Sequence, residues 1–159
     1  MSRGYRVAQL DHVEFFVPSR REAASWYERV LGLEIVEDYE FWAADPRGPL
    51  MISTPEGGTK LALFRGEAQG TRPTAGFHRV AFRVDGPGFV QFLARLKEIP
   101  LEDHEGRPLR PTDVIDHERS YSIYFCDPFG HRLEVTTYDH DYTAQRLPVG
   151  GSETGENPG

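Results

Sequence analysis

The sequence is poor in cysteine and lacks any long apolar run. Cys126 is the only cysteine among 159 residues, so an intrachain disulfide is excluded and a reducing compartment is expected. No apolar run approaches the ~18 residues that a membrane-spanning helix needs. The basic N-terminus is not followed by the apolar segment of a secretory signal. These absences predict a cytoplasmic protein without a membrane partner.

Basic residues are also scarce. The chain has 18 Lys and Arg residues against 25 Asp and Glu residues, which gives a formal net charge of -7 at pH 7. Without a block of basic residues, nucleic acid is excluded as the expected partner. Apolar residues make up 38% and charged residues 27%, as in ordinary globular proteins, and the length suits one domain with a sizeable core.

What the chain does contain is a repeat. The strand-like runs 10–17 and 77–84 each carry a histidine near the start, and each is followed by an amphipathic helical pattern. The predicted strands are 8–17, 34–39, 50–54, 59–65, 77–84, 120–126 and 131–138, with a weak one near Leu101, and the predicted helices are 20–31 and 88–98. A Gly/Thr/Pro-rich linker at 66–75 separates the two halves.

This order of elements predicts an α+β fold built from two βαβββ modules. Module one covers about 8–65 and module two about 77–138, within a single domain at 1–142. Two such modules can curl their mixed sheets into a shared concave cup with the helices outside. The Gly- and Pro-containing segment 143–159 has little apolar content, and we expect it to be a disordered tail.

Two histidines at equivalent places of the repeat, together with a carboxylate in the last strand of the second half, suggest a metal site. His12 and His78 lie near the starts of the two repeated strands, and Glu134 lies in the last strand of the second half. Two histidines and one carboxylate form the facial triad that leaves coordination positions open for substrate. A buried Glu134 without a cation would carry a large desolvation cost. The alternative is three structural polar residues that have found hydrogen-bond partners.

Four segments resemble one known family: 10–13, 26–33, 77–82 and 122–134. They are similar to the vicinal oxygen chelate superfamily, which includes glyoxalase I, extradiol dioxygenases, fosfomycin-resistance thiol transferases and metal-free bleomycin-resistance proteins. The resemblance implies paired βαβββ modules that form a cup. It also implies that His12, His78 and Glu134 are the metal ligands.

The departures from this family help to choose among its activities. Alignment of the turn glycines Gly58 and Gly130 places Ala62 opposite Glu134, and alanine cannot supply the fourth ligand that glyoxalase I uses. The Lys and Ser that bind phosphonate in fosfomycin transferases fall here on Val114 and Glu118. The first departure favours the three-ligand members of the family, dioxygenases and thiol transferases among them, and the second weakens the match to fosfomycin transferases.

Two further residues are candidates for catalysis. If Asp127 faces His131 across a hairpin turn, Tyr124 lies directly opposite Glu134, where a phenol can bind a substrate oxygen or relay a proton. His117 belongs to a pattern that resembles the Asp-His-x-x-Ser of small catechol dioxygenases, and its unperturbed pKa of about 6.5 suits proton transfer. The alternatives are a cross-strand aromatic and a solvated loop histidine.

We therefore predict a metal-dependent enzyme that chelates vicinal oxygens of a small substrate, with an extradiol, catechol-type dioxygenase as the leading candidate. Fe(II) or Mn(II) is the favoured ion. Alternatives are a non-redox lyase, isomerase or thiol transferase that uses Zn, Ni or Co, and a metal-free small-molecule-binding resistance protein. A homodimer is left open. Arg79 and Arg83 alternate with Ala81 on one strand, which edge solvation or a dimer contact would explain.

Overall fold

The computed structural model describes residues 8–67 and 76–148. The chain divides into two compact units, Met1–Pro73 and Thr74–Gly159. Each unit contains one four-stranded mixed sheet with helices. The predicted α+β class and the two modules are therefore confirmed, whereas the shared cup and the single-domain arrangement stay predictions.

The first unit contains β1 (Val13–Val17), α1 (Arg20–Leu31), β2 (Glu34–Ile35), a 3-10 helix (Glu37–Ala44), β3 (Leu50–Ser53) and β4 (Lys60–Arg65). The second contains β5 (Val80–Arg83), α2 (Gly86–Arg95), β6 (Ile115–Asp116), β7 (Tyr121–Cys126), β8 (Arg132–Thr137) and α3 (His140–Ala144). The strand orders are β1-β4-β3-β2 and β5-β8-β7-β6. In both sheets the first strand runs parallel to the last one, and the other pairs are antiparallel.

Helix α1 begins and ends where the sequence predicts. The Ser19 side chain accepts a hydrogen bond from the backbone N–H of Glu22 at 3.3 Å, which caps the first turn. Gly32 adopts a left-handed conformation with φ 69°, and its N–H bonds the Glu28 carbonyl at 2.9 Å. The apolar face between these ends is buried through Ala23, Ala24, Trp26, Tyr27 and Val30.

The sheet of the second unit has one apolar and one polar face. Along β8, Leu133, Val135 and Thr137 are buried, and they alternate with the half-buried Arg132, Glu134 and Thr136. The buried Phe89 and Leu93 belong to α2, which contacts β8. Since successive side chains of a strand point to opposite faces, Glu134 lies on the face that α2 does not cover.

The main difference from the predicted elements lies after β2. We predicted a strand at 34–39, but the strand ends at Ile35 and a 3-10 helix follows. Side chains three residues apart eclipse in a 3-10 helix, which lets the Tyr39 and Trp42 rings stack with centroids 4.6 Å apart. The Arg20 guanidinium then bonds the carbonyl oxygens of Ala43 and Asp45, at the C-terminal end of this helix.

The second unit also contains short elements that the sequence pattern did not reveal. Strand β6 lies within the predicted loop 103–119, and the weak strand near Leu101 is reduced to isolated bridges at Glu102. Helix α3 extends into the predicted tail, since Thr143 is fully buried and its N–H bonds the Asp139 carbonyl at 3.0 Å. Residues 149–159 of that tail and 68–75 of the predicted linker lie outside the described residues.

Within the described ranges, no helix combines the length and the apolar character that crossing a bilayer requires.

Candidate functional site

Tyr124 lies directly opposite Glu134 in the second unit. The two residues are register partners in the antiparallel pair of β7 and β8, as the sequence predicts. The register is set by the turn, where the backbone N–H of Asp127 bonds the His131 carbonyl at 3.0 Å. Oδ1 of the buried Asp127 also accepts hydrogen bonds from the backbone N–H groups of Phe129 and His131, at 3.0 and 2.8 Å. This closed turn places the phenol and the carboxylate on one face of the sheet.

Glu134 is held by a hydroxyl from the neighbouring strand. The Ser122 Oγ donates a hydrogen bond to Glu134 Oε1 at 2.7 Å. On the other side of Glu134, the register partner on β5 is Ala81, whose methyl group offers the carboxylate no hydrogen bond. We did not predict a role for Ser122, although its two-residue spacing from Tyr124 puts it on the same face.

His117 contacts the phenol of Tyr124. Its Nε2 lies 2.8 Å from the Tyr124 hydroxyl, and the two rings meet edge to face. His117 lies in the turn that follows β6, where the antiparallel pairing of β6 with β7 turns the chain back through Glu118, which has a φ of 66°. Burial raises the pKa of Tyr124, and the negative charge of Glu134 raises it further. The phenol is therefore a neutral hydrogen-bond donor at physiological pH.

Arg79 packs on the same phenol ring. Its Cζ lies 4.2 Å from the Tyr124 ring centroid, within cation–π range. This contact puts Arg79 on the face of the sheet that carries Tyr124 and Glu134. The sequence pattern alone did not assign Arg79 to the site.

In the first unit, the predicted ligand His12 is held by acidic neighbours. Its Nδ1 lies 2.7 Å from Asp11 Oδ2, and its Nε2 lies 3.4 Å from Glu14 Oε1. The hydrogen bond to Asp11 is the main cause that raises the pKa of His12. Asp11 also accepts a hydrogen bond from Lys60 Nζ at 2.8 Å. A carboxylate that orients one ring nitrogen is the usual arrangement behind a metal-binding histidine.

The two units can be compared through their strand registers. In the first unit Val13 pairs with Leu61 and Glu14 with Ala62, whereas in the second Val80 pairs with Leu133 and Ala81 with Glu134. Ala62 therefore stands where Glu134 stands, and the predicted alignment of these two residues is confirmed.

The same comparison gives an unexpected match for His12. His12 immediately precedes Val13, and the residue that immediately precedes Val80 is Arg79 rather than His78. His78 is exposed and lies two residues before β5 begins. The second unit thus presents a guanidinium at the repeat position of His12.

The described residues fit a divalent ion at two of the three predicted positions. His12 has the orienting carboxylate that a ligand needs, and the Ser122 hydroxyl orients the Glu134 carboxylate. In the described ranges, no three His, Cys, Asp or Glu side chains are grouped so as to hold a metal ion. His12 belongs to the first unit and His78 and Glu134 to the second, so the ligand set stays a prediction.

Comparison with known proteins decides the family. The model of the "Glyoxalase/Bleomycin resistance protein/Dioxygenase superfamily" matches residues 9–135. The chain belongs to this superfamily. The family that the sequence resembles is thereby confirmed, and it includes enzymes and proteins that bind divalent metals.

A curated member of the superfamily matches part of the chain. The metallothiol transferase FosB of Staphylococcus epidermidis is 38% identical over 61 residues, which are 38% of this chain and 39% of FosB. The chain therefore aligns with well under half the length of that protein.

Several solved structures share the fold over nearly their whole length. The oxidase ChaP-H2 has a TM-score of 0.59 and 24% identity, over 83% of this chain and 94% of its own. The fosfomycin resistance protein FosX of Listeria monocytogenes, solved with Mn(II) and sulfate, has a TM-score of 0.55 and 14% identity, over 90% and 100%. At these identities the likeness concerns the fold alone.

Proposed function

We propose that this protein is an enzyme that transfers a thiol to a small molecule with two neighbouring oxygen atoms, one of which is the leaving group. The observation that carries the proposal is the contact between His117 and Tyr124, opposite Glu134. The partial likeness to the metallothiol transferase FosB supports thiol transfer over the dioxygenase reaction that we expected from the sequence.

The proposed reaction is a substitution without any redox change. The sulfur of a thiolate attacks a carbon of the substrate, so a C–S bond forms as the C–O bond at that carbon breaks. The electron pair of the broken bond stays on the leaving oxygen, which then takes a proton. Tyr124 is the proposed proton donor, because its raised pKa keeps it protonated. His117 then returns a proton to the phenolate through the 2.8 Å contact.

The remaining polar residues have supporting roles in this proposal. Ser122 orients the Glu134 carboxylate through its hydrogen bond. Of the predicted ligands, Glu134 lies on this face, and a divalent ion bound there would polarise the substrate oxygens as a Lewis acid. The proposed substrate is thus a small molecule with adjacent oxygens, and a thiol is the second substrate.

A direct assay tests this function. The protein is incubated with Mn(II), fosfomycin and either L-cysteine or glutathione, and the loss of free thiol and the 31P NMR signal of the adduct are followed. We expect adduct formation by the wild-type protein and strong loss of rate in Tyr124→Phe. Tyr142→Phe is the matched control, because it removes a hydroxyl from an exposed ring on α3. The absence of an adduct with every thiol would contradict thiol transfer to this substrate.

Ring cleavage of a catechol is the second candidate. The arrangement of His117 and Tyr124 favours it, since a phenol and an imidazole in contact can accept and move the second catechol proton. In this reaction a ring C–C bond breaks, O₂ is reduced, and both of its oxygen atoms enter the product. The Fe(II)-loaded protein would be tested with a panel of catechols by O₂ uptake and by the absorbance of the ring-cleaved product. If no catechol causes O₂ uptake, this candidate is wrong.

A further inference from the structure

Arg79 is the repeat equivalent of His12 and lies on the face of the sheet that carries Tyr124 and Glu134. It precedes Val80 as His12 precedes Val13, and these two valines have equivalent partners in the two sheets. By alternation from Ala81, which pairs with Glu134, Arg79 belongs to the polar face of the sheet. The contact of 4.2 Å between Arg79 Cζ and the Tyr124 ring centroid agrees with this placement.

The contact with Tyr124 suits a guanidinium that binds a ligand. Packing on an aromatic face engages the flat surface of the guanidinium, whereas its N–H donors lie in its plane and are not consumed by the ring. An arginine held in this way loses less side-chain freedom when it binds an anion. Planar donors also match a carboxylate, phosphate or phosphonate better than a lysine would.

The charges on this face also favour an anion. Three arginines lie on it. Arg79 immediately precedes β5, Arg83 of β5 pairs with Thr136, and Arg132 of β8 lies two residues before Glu134. Among the residues of β5, β7 and β8, Glu134 alone places a carboxylate on this face. A positive face stands out in a chain whose formal net charge is -7. Such a face raises the local concentration of anionic ligands.

We propose that Arg79 binds an anionic oxygen of the substrate, from a carboxylate, phosphate or phosphonate group, beside Tyr124. Arg79 is then the residue that determines specificity for anionic substrates, at a position where the first unit has a histidine. This role rests on the proposed function, because it takes the Tyr124 face to be the substrate site. It differs from a metal-ligand role, since the positive charge comes from the side chain itself.

The test measures anion binding in metal-free protein, independently of turnover. The protein is labelled with 15N, freed of metal with a chelator, and titrated with methylphosphonate and separately with acetate, while backbone amide and arginine Nε–Hε signals are followed by NMR. We expect saturable shifts at Tyr124, Glu134 and the Arg79 Nε–Hε. In Arg79→Gln the dissociation constant should rise at least about tenfold, as for the loss of a charge-assisted bidentate contact. Arg79→Lys should recover part of the affinity.

Two matched variants distinguish this role from a general effect of surface charge and from a role of the neighbouring histidine. Arg110→Gln makes the same charge change on an exposed side chain that pairs with Asp113, and its anion affinity should equal that of the wild type. His78→Gln should also bind the anion normally. The inference is overturned if Arg79→Gln binds as tightly as the wild type, or if Arg110→Gln loses as much affinity.

The same experiment distinguishes a failure of this inference from a failure of the proposed function. If no thiol adduct forms but anion binding depends on Arg79, thiol transfer is wrong and the role of Arg79 stands. If anions bind only after Mn(II) is added, and equally well in Arg79→Gln, the metal holds the anion and the inference is wrong.

Discussion

Nε2 of His117 lies 2.8 Å from the hydroxyl group of Tyr124, and Tyr124 in turn faces Glu134 across β7 and β8. The three side chains come from β8, from β7 and from the turn between β6 and β7. A carboxylate, a phenol and an imidazole in this order can orient a substrate oxygen and exchange a proton with solvent. The contact thus connects the face that carries the Glu134 carboxylate to an imidazole, a side chain suited to proton exchange.

The first prediction concerns this proton path. Tyr124→Phe and His117→Gln should each lower kcat by about 10²-fold, the lower range for the loss of general acid–base help. Metal content and melting temperature should stay close to the wild-type values, because neither residue is a predicted ligand or a fully buried side chain. The measurement is steady-state kinetics together with metal analysis of each variant. Unchanged kcat in both variants would remove these residues from the mechanism.

The second prediction concerns Glu134. Glu134→Gln should weaken retention of a divalent ion while the fold is kept, since the glutamine side chain can still accept the Ser122 hydrogen bond. Ser122→Ala should weaken retention by about tenfold, as expected for a group that orients a ligand. Dialysis against a series of chelator concentrations, followed by metal analysis, measures both effects. Glu105→Gln, in an exposed loop, is the control and should retain metal normally.

Much of the fold could be predicted from the sequence because local signals were consistent. Ser19 and Gly32 mark the ends of α1, and both have the capping geometry that their residue types favour. The turn from Asp127 to His131 fixed the register that places Tyr124 opposite Glu134. In these segments short-range chemistry alone determines the structure.

Other features depend on contacts between distant residues. The 3-10 helix after Ile35 is held partly by Arg20, whose guanidinium bonds the carbonyl oxygens at the end of that helix. The apolar and aromatic residues of this segment also suit a strand, so the sequence pattern did not distinguish the two.

The repeat position of Arg79 could have been predicted from the sequence, since Val13-x-Phe15-x-Val17 is matched by Val80-x-Phe82-x-Val84. Aligning the histidines instead of these apolar residues shifted the register by one residue, which in a strand exchanges the two faces.

The third prediction concerns the turn that aligns Tyr124 with Glu134. Asp127→Ala should lower the free energy of unfolding by about 2–3 kcal/mol, because the backbone N–H groups of Phe129 and His131 lose their acceptor in a buried turn. Urea denaturation measures the change. Asp45→Ala is a matched control in a similar Asp-Pro-x-Gly turn, where Asp45 is exposed and the loss should be clearly smaller. Equal losses in both variants would contradict the role assigned to burial.

The fourth prediction is a pH dependence of stability at Asp103. Burial alone would raise the pKa of Asp103, but hydrogen bonds from the Arg107 backbone and guanidinium and from the Glu105 N–H outweigh it and lower the pKa. A carboxyl whose pKa is lower in the folded state stabilises the fold above its unfolded pKa of about 3.9, and this contribution is lost as the pH falls through the folded value.

Asp103→Asn should therefore be less stable than the wild type at pH 7, by at most about 1 kcal/mol for a pair near the surface. The difference should shrink as the pH falls below about 4, since protonation removes the same charge from the wild type. Thermal unfolding at a series of pH values measures it. A difference that stays constant down to about pH 2 would mean that the charge of Asp103 does not contribute.

The last prediction uses the repeat position of Arg79. Arg79→His removes a positive charge from the face that carries Glu134 and places an imidazole where the first unit has His12. Both changes favour a cation, so the dissociation constant for Zn(II) should fall by at least about tenfold. Arg83→His is the matched control, because it makes the same change four residues further along the strand, opposite Thr136. Competition with a chromophoric chelator measures both variants. Tighter Zn(II) binding by both variants would reflect the lost charge alone. Tighter binding by Arg79→His only would show that a side chain at this position reaches an ion bound to Glu134.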